Sequence, residues 1–364
     1  MRSDRIFVCG ALAGFAADLL IGDPRRGHPV AAFGRIAGGV ERRLWHDHRG
    51  WGTLHALVCA GGAAGAAALA ARAVRGRPGH PSRARAAGSV ALTAAAVWAV
   101  TGGTSLGREA RAIGGALEAG DVAVARERLP HLCGRDPQAL DGPAIARAVV
   151  ESVAENTSDA VVGALVWGAV GGVPGLVAFR AVNTLDAMVG HKSPRHRRFG
   201  WASARLDDLA GAPGARLTAA LAAVAGGDPR GAVRAWRADA SRHPSPNAGP
   251  VEASFAGALG VRLGGTLAYG GRVEHRPVLN AAGRAVAVAD IERAVRLSRR
   301  VGLLALAVCA GGRAVLGAVR ARGGGAVPAA GGGAVRASGG AAVRAWSSGA
   351  VRARGRAAGK RRGA

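Results

Sequence analysis

Large apolar side chains are scarce in this chain of 364 residues: aromatics make up 4%, with one Tyr and two Met. A water-soluble core of that length normally holds more of them. Yet 49% of the residues are hydrophobic, much of that Ala, and Gly adds 59 more. Small residues in long runs let helix backbones approach closely in a bilayer. Cysteine is also sparse. Cys9, Cys59, Cys133 and Cys309 form no pair with metal-ligand spacing and no disulfide framework. No GxxxxGK[ST] loop and no GxGxxG between a strand and a helix occurs, so a nucleotide would have to be held another way. Acid is scarce too, with 23 Asp and Glu against 49 Lys and Arg, a net charge of +26. Ten of those cations lie from residue 319 onward, where no acid occurs, which leaves 26 − 10 = +16 on the body. With so few aromatics to stack on bases, the charge suits anionic lipid headgroups beside apolar runs and not nucleic acid.

Those runs set the fold class. A bilayer crossing needs about 20 apolar residues per helix. Five stretches come near that: Ile6 to Ile21, Leu54 to Val74, Ala86 to Leu106, Ala160 to Val182, and Val301 to Ala318 with Arg313 inside it. Leu217 to Ala225 is too short to span unaided. The first run follows Arg2 and Arg5 but ends in LLIGDP, not at a small-residue cleavage site, so it reads as an uncleaved first span. Residues 107 to 159 read as amphipathic helices, with breaks at Gly120-Asp121 and at Pro130 to Gly134, and a new helix near Asp141 with Pro143 in its first turn. The sequence predicts an all-α, multi-pass membrane protein with helical polar connections over 1–318. Residues 319–364, built from variants of GGAVRA, read as a low-complexity, disordered basic tail.

Four polar blocks carry the candidate chemistry. ESVAENTSD puts Glu151, Glu155 and Asp159 at i, i+4 and i+8, along one face of a helix. Like charges one turn apart repel, and a hard cation such as Mg2+ offsets that repulsion. NTLDAMVGHKSPRHRRFG brings Asn183 and Asp186 ahead of Gly190, His191 and Lys192, with Asp207 and Asp208 further on. Lys and Arg beside Gly suit a phosphate, and the same pattern also suits a basic loop lying on lipid. Near the N-terminus Asp18, Asp23 and His28 flank Gly22-Asp23-Pro24 and His28-Pro29-Val30, and Asp18 sits inside an apolar run, where a carboxylate is a functional candidate by default. SPNAGPVEASFAGALG offers Asn247 and Glu252, which alone read as a loop opening a helix.

In this order and spacing the four blocks resemble the CobD/CbiB family of cobalamin biosynthesis, the adenosylcobinamide-phosphate synthases, over about Asp18 to Ala318. The resemblance implies a multi-pass enzyme of the cell membrane. Its expected reaction joins (R)-1-aminopropan-2-ol, or its O-phosphate, to a propionate carboxylate of adenosylcobyric acid, with ATP as co-substrate and Mg2+ as cofactor. Glu151, Glu155 and Asp159 are the expected metal ligands. Lys192 and His191 would contact phosphate, and Asp186 or Asp207 would take the ammonium proton. Asn183, Asp23, His28, Asn247 and Glu252 complete the expected binding residues. Membrane lipid and other enzymes of the pathway are the expected partners. A transporter or sensor for an anionic ligand is the alternative reading.

The first two blocks flank the fourth apolar run. If that run crosses the bilayer, they lie roughly 30 Å apart and cannot share one ATP. Gly171-Gly172-Val173-Pro174-Gly175 near its middle is a turn signal. The sequence therefore predicts that Ala160 to Val182 folds as a re-entrant or buried helical pair.

Overall fold

The computed structural model describes residues 3–24, 27–76, 82–191, 193–269 and 272–323. They form twelve α-helices and one hairpin: α1 (Ser3–Ile21), α2 (Pro29–Leu44), α3 (Arg49–Arg75), α4 (Arg83–Val100), α5 (Gly103–Glu118), α6 (Val122–Arg128), α7 (Gly142–Asn156), α8 (Gly163–Leu185), α9 (Trp201–Ala225), α10 (Pro229–Asp239), α11 (Ala248–Leu259), β1 (Leu263–Tyr269), β2 (Arg272–Leu279) and α12 (Ala289–Gly323). The expected all-α membrane architecture is present. Four segments are long and apolar enough to cross a membrane: Arg49–Arg75, Arg83–Glu118, Gly142–Gly190 and Ala289–Val319.

Local sequence explains most boundaries. Asp141 caps α7 by accepting from the Ala144 amide at 2.9 Å, with Pro143 in the first turn. Gly102, at φ 69°, breaks the third apolar run into α4 and α5. Gly22, at φ 71°, ends α1, and the Trp98 indole donates to its carbonyl at 2.8 Å. α12 continues to Gly323, past the expected boundary at 318, as Ala and Arg, both good helix formers, allow. The remaining tail, 324–364, lies outside the described residues.

The antiparallel β1–β2 hairpin was not expected from the polar region after Asn183. Gly264-Gly265 interrupts β1, and RVEHRPVL in β2 shows no clean alternation, so periodicity did not reveal it.

The segment that orders the site is α8. At Gly172 the backbone leaves the helix (φ 64°, ψ −151°) and the chain reverses. Contacts then run symmetrically about the turn. A Cβ at Gly163 would strike the Phe179 ring, one at Gly168 would lie 3.1 Å from Leu176 Cδ1, and one at Gly175 would strike the Trp167 carbonyl. Glycines at these positions let the two arms close face to face. The return predicted for Ala160 to Val182 is the observed structure. From Asp159 or Asp186 to the turn is about 13 residues, roughly 20 Å of helix, less than the ~30 Å hydrocarbon thickness.

Arg313 explains its own place in an apolar run. Its guanidinium reaches the turn, donating to the Ala169 carbonyl and, at 3.3 Å, to that of Val170, while pairing with Asp4 at 2.8 Å. It thus satisfies carbonyls that the broken helix leaves free. Around this hairpin α3, α4, α9 and α12 pack, and α9 comes close enough that a Cβ at Gly214 would lie 2.8 Å from the Gly163 Cα.

Candidate active site

Because the arms return together, the ends of the two central motifs meet. α7 passes into α8 through a π-helical turn, Thr157–Val162, and α8 ends in another, Asp186–Gly190. π-turns often mark functional sites in helices. Between them lies a cavity of about 680 Å³, whose wall includes Glu155, Asp159, Asp186, Asp207 and Asp208. Arg197, Arg205, Arg276, His191 and His243 also line it. The sequence did not single out Arg276 or His243. Arg276 arrives on β2, and His243 from the loop before α11.

The carboxylates converge electrostatically. Asp159 lies in the field of Glu155, Asp207, Asp186 and the Arg180 guanidinium. Asp186 is held tightly against the turn, since a Cβ at Gly190 would collide with its carboxylate. Asp207, on α9, accepts from the Asn183 amide at 3.4 Å. Burial, followed by the nearby Asp186 charge, pushes the Asp207 carboxyl up to about 7. Asp208 instead pairs with Arg205 at 2.9 Å.

Glu151 does not join them. It is 3% exposed, ion-paired with Arg135, and accepts from the Gly264 amide at 2.6 Å. Both oxygens are committed to holding the β-hairpin and the loop before α7. The expected three-carboxylate row therefore divides, with Glu155 and Asp159 facing the cavity and Glu151 serving the fold. Asn247 lines the cavity, but its side chain is engaged. Its amide donates to the Asp208 carbonyl at 2.9 Å, and its oxygen accepts from Arg216 at 2.6 Å. Glu252 stands behind the wall, 3.8 Å from His243, both buried. Burial, then the Glu151 and Glu155 charges, raise the Glu252 carboxyl well above the usual range.

Among the described residues, Asp18, Asp23 and His28 do not line the cavity. The Asp23 amide donates to Ser105 at 3.3 Å, and its carboxylate lies 3.9 Å from His28. His28 caps α2 through Val30. Asp18 caps α5 from outside, accepting from the Thr104 amide at 3.2 Å, which accounts for a carboxylate in an apolar run. Arg180 lies within the fields of both Asp159 and Asp23, so the motif borders the site through it. Lys192 lies outside the described residues.

Hard carboxylate oxygens on Glu155 and Asp159, with more across the cavity, suit Mg2+. That ion takes one or two protein carboxylates together with waters and phosphate oxygens. Among the described residues no three His, Cys, Asp or Glu side chains form a metal cluster.

A family profile described as CobD/Cbib protein matches residues 11–298. The chain is 53% identical over 305 residues to "Cobalamin biosynthesis protein CobD" of Mycobacterium tuberculosis, covering 82% of this chain and 94% of that protein. It is 40% identical over 304 residues to the protein of that name from Chromobacterium violaceum, covering 84% and 96%. With that of Geobacter metallireducens it is 44% identical over 270 residues, covering 72% and 83%. No solved structure matches the chain. On this match, which takes in all four polar blocks and both arms of the α8 hairpin, the chain belongs to the CobD/CbiB family of cobalamin biosynthesis proteins.

Proposed function

We propose that this cavity forms the amide between a propionate carboxylate of adenosylcobyric acid and (R)-1-aminopropan-2-ol or its O-phosphate, driven by ATP. The observation that carries the reading is the meeting of Glu155 and Asp159 with Asp186, His191 and Asp207 around one cavity. A free carboxylate is a poor acyl donor because oxide is a poor leaving group. Phosphorylation by ATP turns it into an acyl phosphate, which an amine can attack. Such phosphoryl transfer needs mostly positioning and charge neutralisation. Arg197, Arg205 and Arg276 bring positive charge to the wall where a polyphosphate would lie. Mg2+ bound by Glu155 and Asp159 would offset the phosphate charge.

The amine arrives as an ammonium and must lose a proton before it can attack. Asp207, held near 7, is matched to accept that proton at neutral pH. A cavity of about 680 Å³ has room for a nucleotide or aminopropanol phosphate.

The test is turnover by the purified protein in detergent. ATP consumption and amide formation that need Mg2+, adenosylcobyric acid and the aminopropanol substrate together support the reading. Complementation of a strain blocked between cobyric acid and cobinamide checks it in the cell. Binding or flux of an anionic ligand without amide formation would overturn it in favour of a transporter or sensor.

A further inference from the structure

His191 lines the cavity, but it does not stand alone there. Its Nε2 lies 3.5 Å from His196 Nδ1, with the two rings edge to face at 85°. His196 Nε2 in turn lies 3.0 Å from Glu41 Oε1 on α2. Both inner members are largely buried, His196 at 12% and Glu41 at 14% exposed. The chain Glu41–His196–His191 therefore runs from α2 to the cavity wall.

The order of protons along it follows from valence. A carboxylate only accepts, so His196 Nε2 carries a proton toward Glu41. In neutral His196 the Nδ1 lone pair is free, and His191 Nε2 must donate to it. His191 Nδ1 is then left as a proton acceptor, the one ring nitrogen not engaged by His196. A proton taken up there can be matched by transfer of the Nε2 proton to His196. The positive charge then rests on His196, against Glu41. Among the described residues, other charged groups near the relay are Arg195, which also reaches Glu41 at 3.3 Å, and Arg197, Arg205 and Asp186 along the cavity wall.

We propose that Glu41 and His196 are positioning residues for His191, forming a relay that loads a proton onto His191 Nδ1 for delivery to the cavity. Its task rests on the function proposed above. As the C–N bond forms and the C–O bond to phosphate breaks, the nitrogen loses two protons. The departing phosphate takes up one proton, and the balance released to water is one. His191 Nδ1–H donates to the leaving phosphate oxygen. His196 returns its Nδ1 proton to His191 Nε2, and Glu41 holds His196 throughout. Burial, then the His196 charge, hold the His191 titration below the ordinary imidazole value, and the Glu41 charge opposes that lowering in part.

The full-length protein in detergent gives the test. Carbethoxylation of His191, followed by mass spectrometry between about pH 5 and 8, reports when its Nδ1 lone pair is free of a proton. Glu41→Gln should move the midpoint down by about one pH unit, and Glu41→Asp should restore much of it. In a His196→Asn background, adding Glu41→Gln should move the midpoint no further. Turnover should fall roughly tenfold in kcat with the KM for ATP unchanged, a split that simple loosening of the 191–200 segment would not give. Coincident midpoints for wild type and Glu41→Gln, or an equal Glu41 effect without His196, would overturn the relay. Linked titration with no amide from the wild type supports the relay while removing the proposed function. Amide formation with unlinked titration does the reverse.

Discussion

The two ends of the α8 hairpin treat charge in opposite ways. At its turn, Arg313 and Asp4 form one pair, and the guanidinium is used up on that carboxylate and the carbonyls of Ala169 and Val170. At its base, Glu155, Asp159, Asp186 and Asp207 face one cavity with their charges imperfectly balanced. The first arrangement stabilises a broken helix. The second leaves negative potential standing, ready for a cation and a proton. A related contrast recurs within one helical turn of α7, where Glu151 is paired with Arg135 inside the fold and Glu155 lies on the cavity wall, in the fields of Arg276 and Arg135. Burying a charge says little about its role; what it meets on arrival decides.

The largest expected effect breaks the base alone. Asp159→Asn and Glu155→Gln should each lower ATP-dependent amide formation by about 100-fold or more, roughly 3 kcal/mol of transition-state stabilisation, with thermal stability near wild type. Glu151→Gln should invert that pattern. It breaks the buried Arg135–Glu151 ion pair and should cost about 3 kcal/mol of stability, while the concentration of Mg2+ giving half-maximal turnover stays unchanged. Titration of Mg2+ against both sets of variants reads the difference.

At the turn, Arg313→Ala should lower the melting temperature of the detergent-solubilised protein through loss of about 2 kcal/mol, and affect KM values little. A change in Mg2+ dependence in that variant would mean the two ends are not independent. The pH dependence sharpens the contrast further. Because the Asp207 carboxyl is raised to about 7, it is protonated below that value and becomes a base above it, so the rate should climb through about pH 7. Asp207→Asn should remove that limb. The sign for stability is opposite: a raised carboxyl favours the fold at low pH, and that contribution fades as pH rises from about 4 to 7. An effect comparable to that of Arg313→Ala belongs to Gly172→Ala, which places a side chain at φ 64°, ψ −151°, a region essentially reserved for glycine, and should cost about 2 kcal/mol.

Much of this was legible in the sequence, because the decisive signals are local. Gly171-Gly172 inside an apolar run, with polar motifs on both flanks, foretold the reversal. Pro143 after Asp141 fixed the start of α7. Long-range partners were not legible. Glu151 shares its helix face with Glu155 by spacing, but Arg135 and the Gly264 amide come from segments whose approach no spacing records. Arg276 was hidden because β2 lacks alternation, and Glu41 because an acid near a helix end is ordinary on a surface. Asn247 was legible as polar, not as the pin between α9 and α11 that its hydrogen bonds make it.

The reversal at Gly172 also fixes how the reaction relates to the two compartments that a membrane separates. An excursion that goes in and comes back adds apolar depth but no net crossing. Residues before Glu155 and after His191 therefore open to one aqueous phase. On the function proposed above, the nucleotide, the amine and the corrinoid substrate would all enter from that phase, and the product would return to it. Such chemistry would be scalar: membrane residence would anchor it without moving anything from one side to the other.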